Sequence, residues 1–233
     1  MSGINQVLTS IAIIPARGGS KRLPRKNILP INNHPMIAYP VRVAIKSGLF
    51  DDVVVSTEDE EIAEIAIKYG ATIIERPKKI AQDRSTVVEV CDHVLKQTQY
   101  TEVSSFCCIY PTAIFVTKED LSKSNKVLNK TIAVDFVMGV SHYNYHPVQA
   151  MENVNGYLRS MWPEHKNKQS QFYPEVLVSN GTLYWAKTKQ FKNEQSFYGK
   201  HLKGYISKAI DIDTSKDYQD ALEYAKEANL TLL

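Results

Sequence analysis

Several things that would announce a function are missing from this chain of 233 residues. It has three cysteines, Cys91, Cys107 and Cys108, an odd number with no metal-type spacing. This argues against a disulfide framework or a cysteine metal site, and the thiols are expected reduced and mostly buried. No run of about 18 apolar residues occurs, so no helical membrane span is expected. The opening MSGINQVLTS has neither a basic stretch nor an apolar core of the signal-peptide kind, and a cytoplasmic location is expected. A net charge of +3, from 28 cations and 25 anions, is too balanced for general nucleic-acid binding. Internal repeats, low-complexity tracts, and Ser-His-Asp or Cys-His nucleophile arrangements are absent. His142 and His146 stand among tyrosines with no acid or thiol at ligand spacing, which argues against a metal there.

What is present is ordinary in bulk and unusual in one place. Apolar residues make up 43% and charged residues 23%, as in a globular protein with a sizeable core. Apolar runs alternate with helical periodicity: IAIIP (11–15), a helix opened by Pro35 and ended at Gly48, DVVVS (52–56), a helix started by a Thr57–Glu60 capping box, ATIIE, a helix over STVVEVCDHVLKQTQ, FCCIY (106–110), a helix capped by Thr117 and Asp120, and DFVMGVS. This predicts an α/β fold, a doubly wound, mostly parallel sheet of the Rossmann-like kind. After residue 141 the rhythm breaks. Residues 142–200 read as short strands and loops inserted into a single domain spanning 1–233, and the rhythm returns at YISKAIDID and a closing amphipathic helix.

The unusual place is IAIIPARGGSKRLPRKNI (11–28), where five cations and two glycines follow a buried strand with no acid among them. Ligands of doubly wound sheets sit beyond the carboxyl ends of the strands. Gly18 and Gly19 allow backbone amides to approach a ligand, and Arg17, Lys21, Arg22, Arg25 and Lys26 suit a triphosphate of about four negative charges. The loop lacks both the P-loop spacing and the G-x-G-x-x-G fingerprint. A second feature is Asp211 and Asp213, two apart on an expected strand, so that both carboxylates share a face and suit magnesium; Thr214 and Asp217 also have capping spacing, which offers a helix-start alternative. Ser85 and Thr86, beside Asp83, read as a helix cap or a nucleotide contact, and Arg76 before Pro77 as a loop cation or a base contact.

IIPARGGSKRLPRKNI, the PMIAYPVRVAIKSGLFDDVVVSTEDEEIAEIAIKYGA that follows, ERP, AQDRST and AIDIDTSKD together resemble the acylneuraminate cytidylyltransferases. The resemblance implies attack by the anomeric hydroxyl of a nine-carbon α-keto acid sugar on the α-phosphate of CTP, with magnesium, to give the CMP-sugar and pyrophosphate for cell-surface glycans. It implies catalytic roles for Arg17, Lys26, Asp211 and Asp213, with the two acids as metal ligands. Nucleotide contacts are implied at Ala16, Arg17, Gly18, Ser20, Lys21, Asn27, Arg76, Ser85 and Thr86. Sugar contacts are implied at Tyr110, Gln149, Ser170, Gln171, Asn180, Tyr184 and Phe197. It also implies a homodimer, with the insertion crossing to the neighbour's sugar site and Phe197 and Tyr198 as the reaching segment. CCIYPTAIF and KQSQFYPE resemble the pseudaminic acid branch, whereas Asn180-Gly181 resembles the sialic and legionaminic enzymes; pseudaminic acid is preferred. The reading from another class is a non-catalytic nucleotide- or RNA-binding module.

Overall fold

The computed structural model describes residues 8–131, 133–210 and 212–233. Seven strands form one sheet: β1 (Ser10–Pro15), β2 (Asp52–Thr57), β3 (Thr72–Glu75), β4 (Ser105–Ile109), β5 (Phe136–His142), β6 (Leu177–Lys187) and β7 (Leu202–Ile206). Their order is β7-β5-β6-β4-β1-β2-β3. All neighbours are parallel except β6, which runs antiparallel to both β4 and β5. Six α-helices accompany them: α1 (Ala38–Ser47), α2 (Glu60–Lys68), α3 (Val87–Leu95), α4 (Lys118–Lys130), α5 (Thr188–Glu194) and α6 (Ser215–Glu227). The α/β reading, with a doubly wound and mostly parallel sheet, is thereby met.

The local signals act as the chemistry of caps requires. Thr86 with Glu89, Thr117 with Asp120 and Thr214 with Asp217 each form reciprocal capping boxes. Gly48 closes α1 at φ 65. One expected box is different: α2 is capped by Asp59, whose side chain accepts from the Ile62 amide. Thr57 is committed to β2, paired with Glu75, and its hydroxyl accepts from the Asp59 amide instead.

Ile11, Ile13, Ile14, Val54, Val55, Cys107 and Cys108 have no exposed surface, which explains the unbroken apolar runs: both faces of the central strands are covered. All three cysteines are buried and unpaired. The expected insertion over 142–200 is shorter than its composition suggested. Leu177–Lys187 returns to the main sheet as β6, where Trp185 is fully buried, stacks on Phe50 at 5.2 Å and donates to Ser124 Oγ at 2.9 Å. What leaves the sheet is an arm between β5 and β6, carrying the hairpin Met151–Val154 with Tyr157–Ser160.

A third apolar cluster lies away from the sheet. Ile212, Ala221 and Ala225 pack with Leu23, Ile31, Met36 and Tyr39, joining α6 to the segment after the basic loop. Tyr218 reinforces the contact by donating to the Pro30 carbonyl at 2.6 Å.

Candidate active site

The basic loop leaves β1 at the carboxyl end of the sheet, and its shape is set from behind by the start of α2. The Ala16 amide extends the strand pairing by one bond to the Ser56 carbonyl, at 3.0 Å. The Gly18 amide donates to Glu58 Oε1 at 2.8 Å. A Cβ on Gly18 would lie 2.4 Å from Asp59 Oδ2, so this position needs glycine, whereas Gly19 faces open space. Arg25, left-handed at φ 56, ion-pairs with Asp59 and Glu61. That pairing, foremost its hydrogen bond, holds the Asp59 carboxyl below its ordinary range. Arg25 is therefore an anchor and does not line the pocket, a correction to the count of five phosphate-facing cations. Asn27, nearly buried, donates to the Arg17 carbonyl at 2.8 Å and closes the loop.

The remaining cations, Arg17, Lys21, Arg22 and Lys26, line a cavity of about 530 Å³. Ser20, Asn27, Arg76, Ser85, Thr86, Tyr110, Thr112 and Asp213 line it too. Arg76, only 4% exposed, reaches it from the end of β3 and donates to the Ser56 carbonyl at 2.6 Å. Burial pushes its pKa down, and the nearby Glu58 charge opposes that. Thr86 serves both readings: its hydroxyl caps α3, and the residue lines the cavity. Ser85 Oγ accepts from the Gln82 amide at 3.1 Å.

Two carboxylates hold the four cations in pairs. Asp83 takes Arg17 at 2.9 Å and Lys21 at 2.5 Å. Asp213 takes Lys26 at 2.8 Å and Arg22 at 2.5 Å. Lys21 and then Arg17 hold the Asp83 carboxyl below its ordinary value. Burial pushes Asp213 up, but its hydrogen bond from Lys26 and the charges of Lys26 and Arg22 outweigh it, leaving the carboxyl below its ordinary value. Asp83, Glu58 and Asp59 were not among the expected site residues. The one signal for them was negative: a loop with five cations and no acid needs acids from elsewhere.

Asp213 lies in the irregular segment before α6, not on a strand, because β7 ends at Ile206 where its pairing with Val140 stops. Strand alternation therefore does not place it; Asp211 lies outside the described residues. Of the expected sugar contacts, Tyr110 lines the cavity, and burial drives its phenol far above the ordinary range. Tyr184 is buried, its ring 5.4 Å from that of Tyr110 and its hydroxyl 2.6 Å from Ser179 Oγ. Phe197 is a core residue, 3% exposed against Phe106, Phe191 and Tyr184, which corrects its assignment to a reaching segment; only Tyr198 of that pair is exposed. Asn180 is consumed internally. Its amide donates to Ser141 Oγ and to both Ser207 oxygens at 3.0–3.2 Å, and its carbonyl accepts from Thr182 at 2.6 Å. Gln149, Ser170 and Gln171 are exposed on the arm and do not line the cavity.

The fold and the cavity define an α/β domain with a cation-lined cleft at the carboxyl edge of a 3-2-1-4-6-5-7 sheet, the place where such sheets take their ligands. The family model described as Cytidylyltransferase matches residues 11–231, and the chain belongs to that family. It is 32% identical, over 94% of its length and 95% of the relative's, to the pseudaminic acid cytidylyltransferase of Campylobacter jejuni subsp. jejuni serotype O:2. It is 31% identical to a Helicobacter pylori protein described as a pseudaminic acid cytidylyltransferase and hydrolase, over 83% of this chain but 38% of that protein. It is 28% identical to the N-acylneuraminate cytidylyltransferase of Escherichia coli O18:K1:H7, over 94% of this chain and 52% of that one. Among solved structures, a CMP:2-keto-3-deoxy-manno-octonic acid synthetase complexed with CTP superposes with a TM-score of 0.72 at 17% identity, covering 94% of this chain and 99% of that one.

Proposed function

We propose that this protein transfers CMP from CTP to the anomeric hydroxyl of a nonulosonic acid, with pseudaminic acid preferred. In that reaction the sugar oxygen bonds to the α-phosphorus as the bond to the bridging oxygen breaks. Pyrophosphate leaves with the electron pair, and the hydroxyl proton is given up. The observation that carries the reading is the cavity in which Arg17, Lys21, Arg22 and Lys26 converge beside the buried Arg76. Cations placed where charge develops stabilise the transition state. A non-catalytic polyanion-binding surface would gain nothing from Asp83 and Asp213 set among its cations.

Pseudaminic acid is favoured by the similarity to the Campylobacter enzyme along nearly its whole length. The feature that pointed to the sialic and legionaminic branches, Asn180-Gly181, has a packing explanation: Asn180 bridges β5 to Ser207, and Gly181 sits at φ 64. Pyrophosphate release measured with CTP, magnesium and pseudaminic, sialic or legionaminic acid in parallel tests this. The highest kcat/KM is expected with pseudaminic acid. Release with sialic acid alone reassigns the sugar, and release with none of the three ends the reading.

Magnesium fits the residues in one respect. Among the described residues no cluster of three metal-ligating side chains exists. Asp213 offers an ionised oxygen donor at the cavity wall, and magnesium characteristically takes one or two carboxylates with the rest of its ligands from phosphates and water. Asp213, with Asp211 as its second carboxylate, would hold it, and when bound it supplies charge neutralisation for the phosphates.

We further infer that the chain acts as one nucleotidyltransferase domain that works as a homodimer in the cytoplasm. The arm exposes Tyr145, Tyr157, Leu158 and Phe172, each at least 69%, a density of apolar surface that a monomer rarely leaves open. Gln149, Ser170 and Gln171 lie exposed on the same arm, and in such a dimer they would contact a neighbour's sugar. Light scattering at micromolar concentration should give about twice the 26.4 kDa chain mass. A value near 26.4 kDa would rule the dimer out.

A further inference from the structure

Among the described residues, Asp83 has no side-chain partner except the two cations that the nucleotide needs. Its oxygens take Arg17 at 2.9 Å and Lys21 at 2.5 Å. The turn that carries it is held by other groups: Gln82 donates from its amide to Ser85 Oγ and from its side chain to the Lys78 carbonyl, and the Ser85 amide returns to the Gln82 carbonyl. The basic loop is likewise held without it, by Glu58 on Gly18, by Asp59 and Glu61 on Arg25, and by Asn27 on Arg17. The carboxylate therefore does not build either segment. It lines the cavity and occupies the two cations nearest to it.

A transferase of this kind has a problem that a binding protein does not. The cations that grip the triphosphate also grip the pyrophosphate left over, and a loop with four converging cations would release that highly charged product slowly. We propose that Asp83 stands in for phosphate: it neutralises Arg17 and Lys21 in the free enzyme, gives them up to incoming CTP, and reclaims them as pyrophosphate departs. This role rests on the CTP-dependent reading above. It makes Asp83 a positioning residue, acting through Arg17 and Lys21 and touching neither the sugar nor the α-phosphorus.

The arrangement has a definite thermodynamic sign. Any anion that must displace Asp83 binds more weakly by the worth of the two ion pairs it replaces. Exposed pairs are individually modest, so removing the competitor should tighten pyrophosphate binding by roughly five- to tenfold. A metal-ligating role would have the opposite sign, since loss of the acid would weaken magnesium-pyrophosphate binding.

The test is calorimetric titration of inorganic pyrophosphate, with and without magnesium and with no sugar present, into the wild type, Asp83→Asn and Asp83→Glu. Tighter binding to Asp83→Asn in both conditions is expected, with Asp83→Glu close to wild type. In steady state Asp83→Asn should show a lower KM for CTP together with a lower kcat and stronger product inhibition by pyrophosphate. If the wild type binds pyrophosphate and Asp83→Asn binds it equally or more weakly, the stand-in role is overturned while the transferase reading survives. If neither protein binds pyrophosphate, both are overturned. Should Asp83→Asn fail to fold, Asp83→Ala removes the same charge and is expected to show the same tightening, with equal or weaker binding again overturning the role.

Discussion

Arg17→Ala should lower turnover by about a hundred- to a thousandfold while the protein still folds. Arg17 is the first cation after β1; it lines the cavity, and among the described residues its guanidinium forms its one side-chain ion pair with Asp83. What the fold needs from residue 17 is its backbone carbonyl, which accepts from Asn27, and alanine keeps that. Loss of the side chain should therefore remove the proposed phosphate contact and leave the loop closed. The check is single-turnover rate alongside thermal melting. A fully active Arg17→Ala protein would take the loop out of the mechanism.

Asp213→Asn is the second large effect. Its carboxylate gathers Lys26 and Arg22 on one side of the cavity and stays ionised through their charge. Asparagine keeps the shape, and the backbone amide that donates to Asp217 remains. Folding should change by at most about 1 kcal/mol, since the helix start is held by the Thr214–Asp217 box. Turnover should fall by at least roughly tenfold, and the magnesium concentration for half activity should rise. CTP binding without metal should not weaken, since the variant frees Lys26 and Arg22 from a competing carboxylate. An unaltered magnesium curve in both Asp213→Asn and Asp211→Asn would remove the metal assignment and leave catalysis to the cations.

The two variants draw on different parts of what was readable in the chain. Strands and caps are local, so Thr86, Thr117 and Thr214 could be recognised from a partner three residues on. Thr57 misled because Glu60 stands at the same spacing, and only the pairing of β2 with β3 shows that residue 57 belongs to a strand. The cations of the loop were legible as a run, but their acids were not: Asp83 is 66 residues from Arg17, and Asp213 is 191 from Arg22. The residues around Trp185 read as one of the short strands of 142–200, yet nothing local says that they enter the sheet between β4 and β5 against the direction of their neighbours. Phe197 shows the same limit. An aromatic in a polar stretch reads as surface until the rings of Phe106 and Phe191 are found around it.

The cluster that joins Ile212 and α6 to Leu23, Ile31 and Met36 has a consequence for the timing of biosynthesis. Domains fold as the chain emerges, earlier residues first. The strands from β1 to β7 can pair once residue 206 is out, but the cavity then lacks Asp213, and the apolar side of the segment after the basic loop has no cover. A nascent chain halted at that point would carry an assembled sheet with an unfinished site. A chain ending at residue 206 is therefore expected to turn over CTP far more slowly than the full chain, because one wall of the cavity is missing.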